Sequence, residues 1–166
     1  MRCFVAIDVN SNIKKNIAKV QKHFNRPEIK LVEKENLHIT LKFLGDVNNV
    51  DKIIKKLKDI SWNPFTTEFK GLGVFPNKNY IKVIWVGARS EALEDLAKKI
   101  QTKLGRDDFV PHVTIARVKQ RIDKLETISV PTTFGTQLVD CFCLKKSTLT
   151  KDGPIYTTLS VFYAKG

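Results

Sequence analysis

Apolar positions along the chain follow two rhythms. Arg2 to Asp8 holds a short apolar run between charges and predicts a strand. Ile13, Ile17, Val20 and Phe24 then recur at three- and four-residue steps, with Lys14, Lys15, Lys19 and Lys22 on the opposite face, which predicts an amphipathic helix. Asn10 or Ser11 caps its start and Pro27 ends it. Strands are expected over Lys30 to Val32 and Leu37 to Leu44, the second broken by Gly45. A second helix follows over about Asn49 to Ile60, with Ile53, Ile54, Leu57 and Ile60 apolar. Phe65 to Phe75 and Tyr80 to Val86 read as strands around the turn Pro76-Asn77-Lys78-Asn79.

The second half repeats the pattern. Leu93, Leu96, Ala97, Ile100 and Leu104 mark one face of a helix from about Ser90 to Leu104, with Ser90 as cap and Glu91, Glu94 and Asp95 in the first turns, where the helix dipole favours acids. A strand from His112 to Val118, a polar segment from Lys119 to Glu126, and two long β stretches complete the chain. These stretches are Thr133 to Leu149 and Ile155 to Ala164, separated by Lys151-Asp152-Gly153-Pro154. The predicted class is α+β, with mostly antiparallel strands and helices packed outside.

Composition narrows the class of function. A chain of 166 residues is one domain, or two small lobes on one core, and needs no disulfides to bury a core. The net charge of +12 points to a polyanionic partner, either nucleic acid or an anionic membrane. The membrane reading weakens because no apolar run approaches the ~18 residues a span requires, and the apolar stretch before Asp8 is too short for a secretory leader. Three cysteines, Cys3, Cys141 and Cys143, fit reduced thiols in a cytoplasm. Cys141-x-Cys143 has no second pair to complete a metal site, so both read as small apolar fillers.

The candidate chemistry lies in the histidines. There are three, and two of them share one local frame: Leu37-His38-Ile39-Thr40-Leu41 and Pro111-His112-Val113-Thr114-Ile115. Side chains at i and i+2 of a strand share a face, so His38 projects with Thr40, and His112 with Thr114. One such pair is ordinarily a half-buried polar couple. Two of them, one in each half of a strongly basic chain, form a weak internal repeat and suggest two similar lobes. If both strands face one cleft, it holds two imidazoles and two hydroxyls. That set suits in-line displacement at a cyclic phosphodiester. One imidazole serves as base toward water and the other as acid toward the leaving sugar oxygen, while the hydroxyls donate to non-bridging oxygens. No metal or other cofactor is required, and two histidines without a third ligand make a poor metal site. His23 reads as a surface residue. By alternation Lys42 shares the His38 face, where it either lines the cleft or ends the strand in solvent, and Arg117 points away from His112 unless a bulge intervenes. Phe75, Tyr80 and Tyr156 are candidates for base stacking, with core packing the plainer reading.

The stretch Glu35-Asn36-Leu37-His38-Ile39-Thr40-Leu41-Lys42-Phe43-Leu44-Gly45 resembles the first motif of the RNA 2′,3′-cyclic phosphodiesterases, historically called 2′–5′ RNA ligases, of the two-histidine phosphoesterase superfamily. Phe109-Val110-Pro111-His112-Val113-Thr114-Ile115-Ala116-Arg117 resembles the second. Further likeness in Met1 to Asp8, Gly71 to Pro76, Ile84 to Gly87 and Gly153 to Tyr156 extends the resemblance over nearly the whole chain. It implies a single two-lobed domain over residues 1–166, with two antiparallel sheets facing a cleft in pseudo-two-fold fashion. It also implies metal-independent hydrolysis of a 2′,3′-cyclic phosphate to a 2′-phosphomonoester. His38 would then be the proton donor and His112 the acceptor, with Thr40, Thr114 and Arg117 holding the phosphate. The residues themselves leave donor and acceptor open. The expected partner is RNA with such ends, tRNA fragments or small cyclic nucleotides included, and the expected state is a cytoplasmic monomer. Ligation of tRNA-half-like ends into 2′–5′ linkages and non-catalytic RNA binding are the alternatives.

Overall fold

The computed structural model describes residues 1–122 and 131–165. In chain order the elements are β1 (Arg2–Asp8), α1 (Ser11–Gln21), a 3-10 turn (Lys22–Phe24), β2 (Ile29–Leu31), a 3-10 turn (Lys34–Asn36), β3 (His38–Asp46), α2 (Val50–Lys58), β4 (Phe65–Asn77), β5 (Tyr80–Arg89), α3 (Glu91–Leu104), β6 (His112–Val118), β7 (Thr133–Val139), β8 (Cys141–Thr150) and β9 (Gly153–Tyr163). The helix starts follow the capping expectation. The side chains of Asn10, Asn49 and Ser90 each accept the N–H three residues on, satisfying a donor the first turn leaves free. The polar segment after Lys119, and Lys124 with it, lies partly outside the described residues.

All strand pairings are antiparallel, and they form one hydrogen-bonded path in the order β7-β4-β5-β6-β3-β1-β8-β9, with β2 added to β6. The expected two sheets are thus joined, and the joint is narrow, since β3 and β6 pair only at Ile39 and Val113. The path is also bent. Val139 ends β7 at one edge and Cys141 begins β8 near the other, and one intervening residue spans no more than about 7 Å between their Cα atoms. This corrects the single stretch expected from Thr133 to Leu149. Asp140 breaks it into two strands on different neighbours, which alternation alone does not reveal.

Gly45 does not end β3. It adopts φ +66°, a conformation costly for other residues, beside a register shift, and pairing with β1 continues to Asp46. Ile13, Ile17 and Val20 of α1 face β6 and β7, while Leu93, Leu96, Ala97 and Ile100 of α3 are buried as their spacing predicts. Burial of each Ile or Leu in this layer contributes about 1.5–3 kcal/mol. Buried Gln137 fastens β7 to the end of β1, accepting from Asn10 N and donating to Asp8 O, both at 2.9 Å.

Candidate active site

The Ile39–Val113 pair sets the geometry. Both side chains are fully buried, so their neighbours in sequence turn to the opposite face. Counting one residue outward in antiparallel register places His38 across from Thr114 and Thr40 across from His112. The two His-x-Thr strands therefore meet at the middle of the sheet, and the four side chains share one face.

Both strands then carry a bulge at the same point. From His38 the burial sequence is intermediate, buried, intermediate, buried, buried, exposed, and from His112 it is the same. The β1–β3 register shifts at Leu41, and the β5–β6 register shifts at Ile115. An extra residue reverses the alternation beyond it. Arg117 is thereby returned to the His112 face and lines a cavity of about 340 Å³ together with His38 and Thr114. The same reversal corrects the placement of Lys42, which turns under the sheet. It is buried and lies 3.6 Å from the Asp107 carboxylate. Phe43 takes the site face in its place, 65% exposed and lining the cavity. Its exposure had no sequence signal, because it follows from a bulge defined only by the register with β1. His112 and Thr40 are not among the lining residues of this cavity; His112 stands on the more open side, with its anchor exposed.

Each imidazole is held in the same way. His38 Nδ1 donates to the carbonyl of Asn36 at 2.6 Å, and His112 Nδ1 donates to the carbonyl of Val110 at 2.5 Å, in both cases two residues upstream. That bond fixes the neutral tautomer with Nε2 unprotonated. On His38, Nε2 is 2.9 Å from Thr40 Oγ1, so the hydroxyl donates to it. Aromatic edges flank the rings, Tyr156 against His38 (5.3 Å, 89°) and Phe75 against His112 (5.2 Å, 89°). Tyr156 and Phe75 are thus walls of the site and not core residues. Tyr80 lies on the surface under the Lys82 ammonium.

Burial pushes both histidines below the ordinary imidazole value, only partly opposed by the backbone hydrogen bonds that favour the charged form. Lys145 and His112 lower His38 further while Asp8 raises it, and Arg117 lowers His112. Both shifts favour the neutral rings, and an anion between them would act in the opposite direction. Burial likewise raises the Tyr156 hydroxyl and pushes the Cys143 thiol up to about 11, which disfavours a thiolate. Among the described residues no three His, Cys, Asp or Glu side chains gather as a metal site, and no helix is long and apolar enough to cross a membrane. His23 is exposed on the 3-10 turn after α1.

Comparison with known proteins places this geometry. The sequence profile of the LigT like phosphoesterases matches residues 7–85. A Methanocaldococcus jannaschii protein named RNA 2′,3′-cyclic phosphodiesterase is 44% identical over 175 aligned positions, covering 96% of this chain and 98% of that one. The chain belongs to the LigT-like phosphoesterase family. Among family structures, a Thermus thermophilus protein matches with TM-score 0.90 and 26% identity, covering 100% of this chain and 99% of that chain. Escherichia coli LigT in complex with phosphate matches with TM-score 0.82 and 27% identity, covering 99% and 98%. This LigT-like chain shares with them its mixed architecture, a large antiparallel sheet with helices against it.

Proposed function

We propose that this LigT-like phosphoesterase hydrolyses 2′,3′-cyclic phosphodiester ends of RNA to 2′-phosphomonoesters by two-histidine acid–base catalysis, without a metal ion. The observation that carries the reading is the central pair Ile39–Val113, which sets two imidazoles with equivalent anchors diagonally across one face. In this reading the halves β7-β4-β5-β6 and β3-β1-β8-β9 are pseudo-two-fold lobes of one domain, and the phosphate sits where they meet. The matching bulges and burial sequences support that symmetry.

His112 Nε2, on the open side, takes a proton from water as the water oxygen attacks phosphorus. The P–O3′ bond breaks, and His38 Nε2, on the cavity side, gives its proton to O3′. The product keeps its phosphate on O2′ and regains a 3′-hydroxyl. Thr40, Thr114 and Arg117 donate to the non-bridging oxygens, where negative charge grows. The bound anion favours uptake of one proton from solvent; on His38 Nε2 that proton is the one given to O3′, while His112 Nε2 stays unprotonated to act as base. The chain acts as a monomer with its three cysteines reduced, as in a cytoplasm.

Turnover of an RNA bearing a 2′,3′-cyclic phosphate, measured in chelator with wild type, His38→Ala and His112→Ala, tests the reading. Chelator leaves the wild-type rate unchanged, and each substitution lowers it by roughly 10²–10⁴. Loss of activity to chelator, or a near-normal rate in either variant, contradicts it. RNA binding without turnover would favour the non-catalytic alternative.

A further inference from the structure

A second concave surface lies outside the histidine cleft. It is a groove of about 660 Å³ between α1 and β7, whose charged side chains are Lys15, Lys19, Lys22 and Lys34. We propose that this groove is an RNA exosite, which binds the phosphodiester backbone of the strand whose end occupies the cleft. The proposal rests on the RNA-end reading above and names where the rest of that RNA lies.

Charge argues for it first. Among the described residues no carboxylate lines the groove and none of the four lysines forms an ion pair. Glu33 and Glu35 flank Lys34 in sequence, but neither lines the groove. Lys15 and Lys19 lie four residues apart on α1, and Lys22, the residue that caps its C-terminus in helical backbone conformation, follows three residues later, so the three ammonium groups stack on one stripe. Like charges at that spacing cost a helix a few tenths of a kcal/mol each, which a bound polyanion offsets. Lys42 and Lys145 show the contrast, since each of these buried lysines has its own carboxylate.

Position argues second. Lys34 opens the 3-10 turn Lys34–Asn36, and Asn36 both lines the catalytic cavity and supplies the carbonyl that holds His38. One intervening residue, Glu35, separates Lys34 of the groove from Asn36 of the cavity, no more than about 7 Å between their Cα atoms. A strand leaving the cleft over this turn meets Lys34 first and the α1 lysines next. Asn12 gives the groove a further amide, while the Asn16 amide donates to the carbonyl of Phe134 at 2.7 Å and ties α1 to β7.

The test compares Lys15→Gln/Lys19→Gln/Lys22→Gln with Lys52→Gln/Lys55→Gln/Lys58→Gln, which removes the same charge from α2. Binding of a single-stranded RNA ending in a 3′-hydroxyl is measured against salt, together with turnover of a 2′,3′-cyclic mononucleotide. The groove variant is expected to bind at least tenfold more weakly at low salt and to lower the slope of log K against log salt by about 2, since each lost phosphate contact on a single strand removes about 0.7. The α2 variant should bind as wild type, and both should turn over the mononucleotide at the wild-type rate. Equal losses in both variants reduce the effect to net charge and overturn the proposal, as does unchanged binding by the groove variant. Because binding is read on an RNA without a cyclic end, the exosite stands or falls even if the cleft proves not to hydrolyse such ends.

Discussion

Asp8 lies directly across from His38 in the β1–β3 ladder and holds the Lys145 ammonium at 2.8 Å. Lys145 is buried, whereas the Asp8 side chain is about half exposed. The pair sets the charge seen by His38 from β1 and β8, while His112 acts from β6. Lys145→Met removes the cation and leaves the carboxylate unpaired. His38 should then titrate at higher pH than in wild type, read by NMR of the imidazole, with His112 little changed. A downward or absent shift of His38 would show that the pair is only structural.

Arg117 and Lys42 separate the bulged geometry from simple alternation. If Arg117 holds the phosphate as proposed, Arg117→Gln removes a charge-assisted hydrogen bond worth about 1.5–3 kcal/mol, so kcat/KM on a cyclic end should fall roughly 10–100-fold. Lys42→Met sits under the sheet, away from the phosphate, and should leave kcat/KM within about twofold. Steady-state kinetics of both variants decide the matter. The reverse order of effects would place Lys42 in the cleft and Arg117 outside it.

Lowered imidazoles have two consequences for pH. Between the ordinary value near 6.5 and the folded values, the unfolded chain binds more protons than the native one, so stability rises with pH. The contribution is present above about pH 6.5 and is lost as pH falls through that window. Urea melts at a series of pH values should show this loss, and it should shrink in His38→Ala. In kinetics, the profile of kcat should lie at higher pH than that of kcat/KM, because bound phosphate raises groups that the free enzyme holds low. Coincident profiles would mean that the anion does not sit between the rings.

Gly73 leaves room for the indole that backs His112. A Cβ at this position would lie 2.0 Å from Trp85 Cζ2, and Trp85 pairs with Gly73 across the ladder while its ring stands 6.3 Å from the His112 ring. Gly73→Ala must displace the indole. A cost of about 1–3 kcal/mol is expected in denaturant melts, accompanied by a lower kcat. A variant as stable and active as wild type would show that the indole has space to move.

Much of this arrangement was legible in sequence because it depends on period alone. β6 begins and ends where alternation places it, at His112 and Val118, and α3 buries the stripe its spacing predicts. The His-x-Thr pairs could be read because i and i+2 share a face. What could not be read depends on partners far along the chain. The bulges at Leu41 and Ile115 exist only relative to β1 and β5. Alternation could therefore name a bulge as the condition for Arg117 to reach the site but not place one, and the burial of Lys42 and the exposure of Phe43 were hidden. Asp140 was equally silent, since β7 and β8 differ in their neighbours and not in their rhythm.

One titration tests the central claim, that both histidines bracket a single phosphorus. A nucleoside 2′-phosphate is added to the protein while both imidazoles are followed by NMR across pH. The account predicts saturation at one equivalent, with His38 and His112 both titrating at higher pH in the complex. Movement of one ring alone, or saturation of the two rings at different stoichiometries, would contradict it.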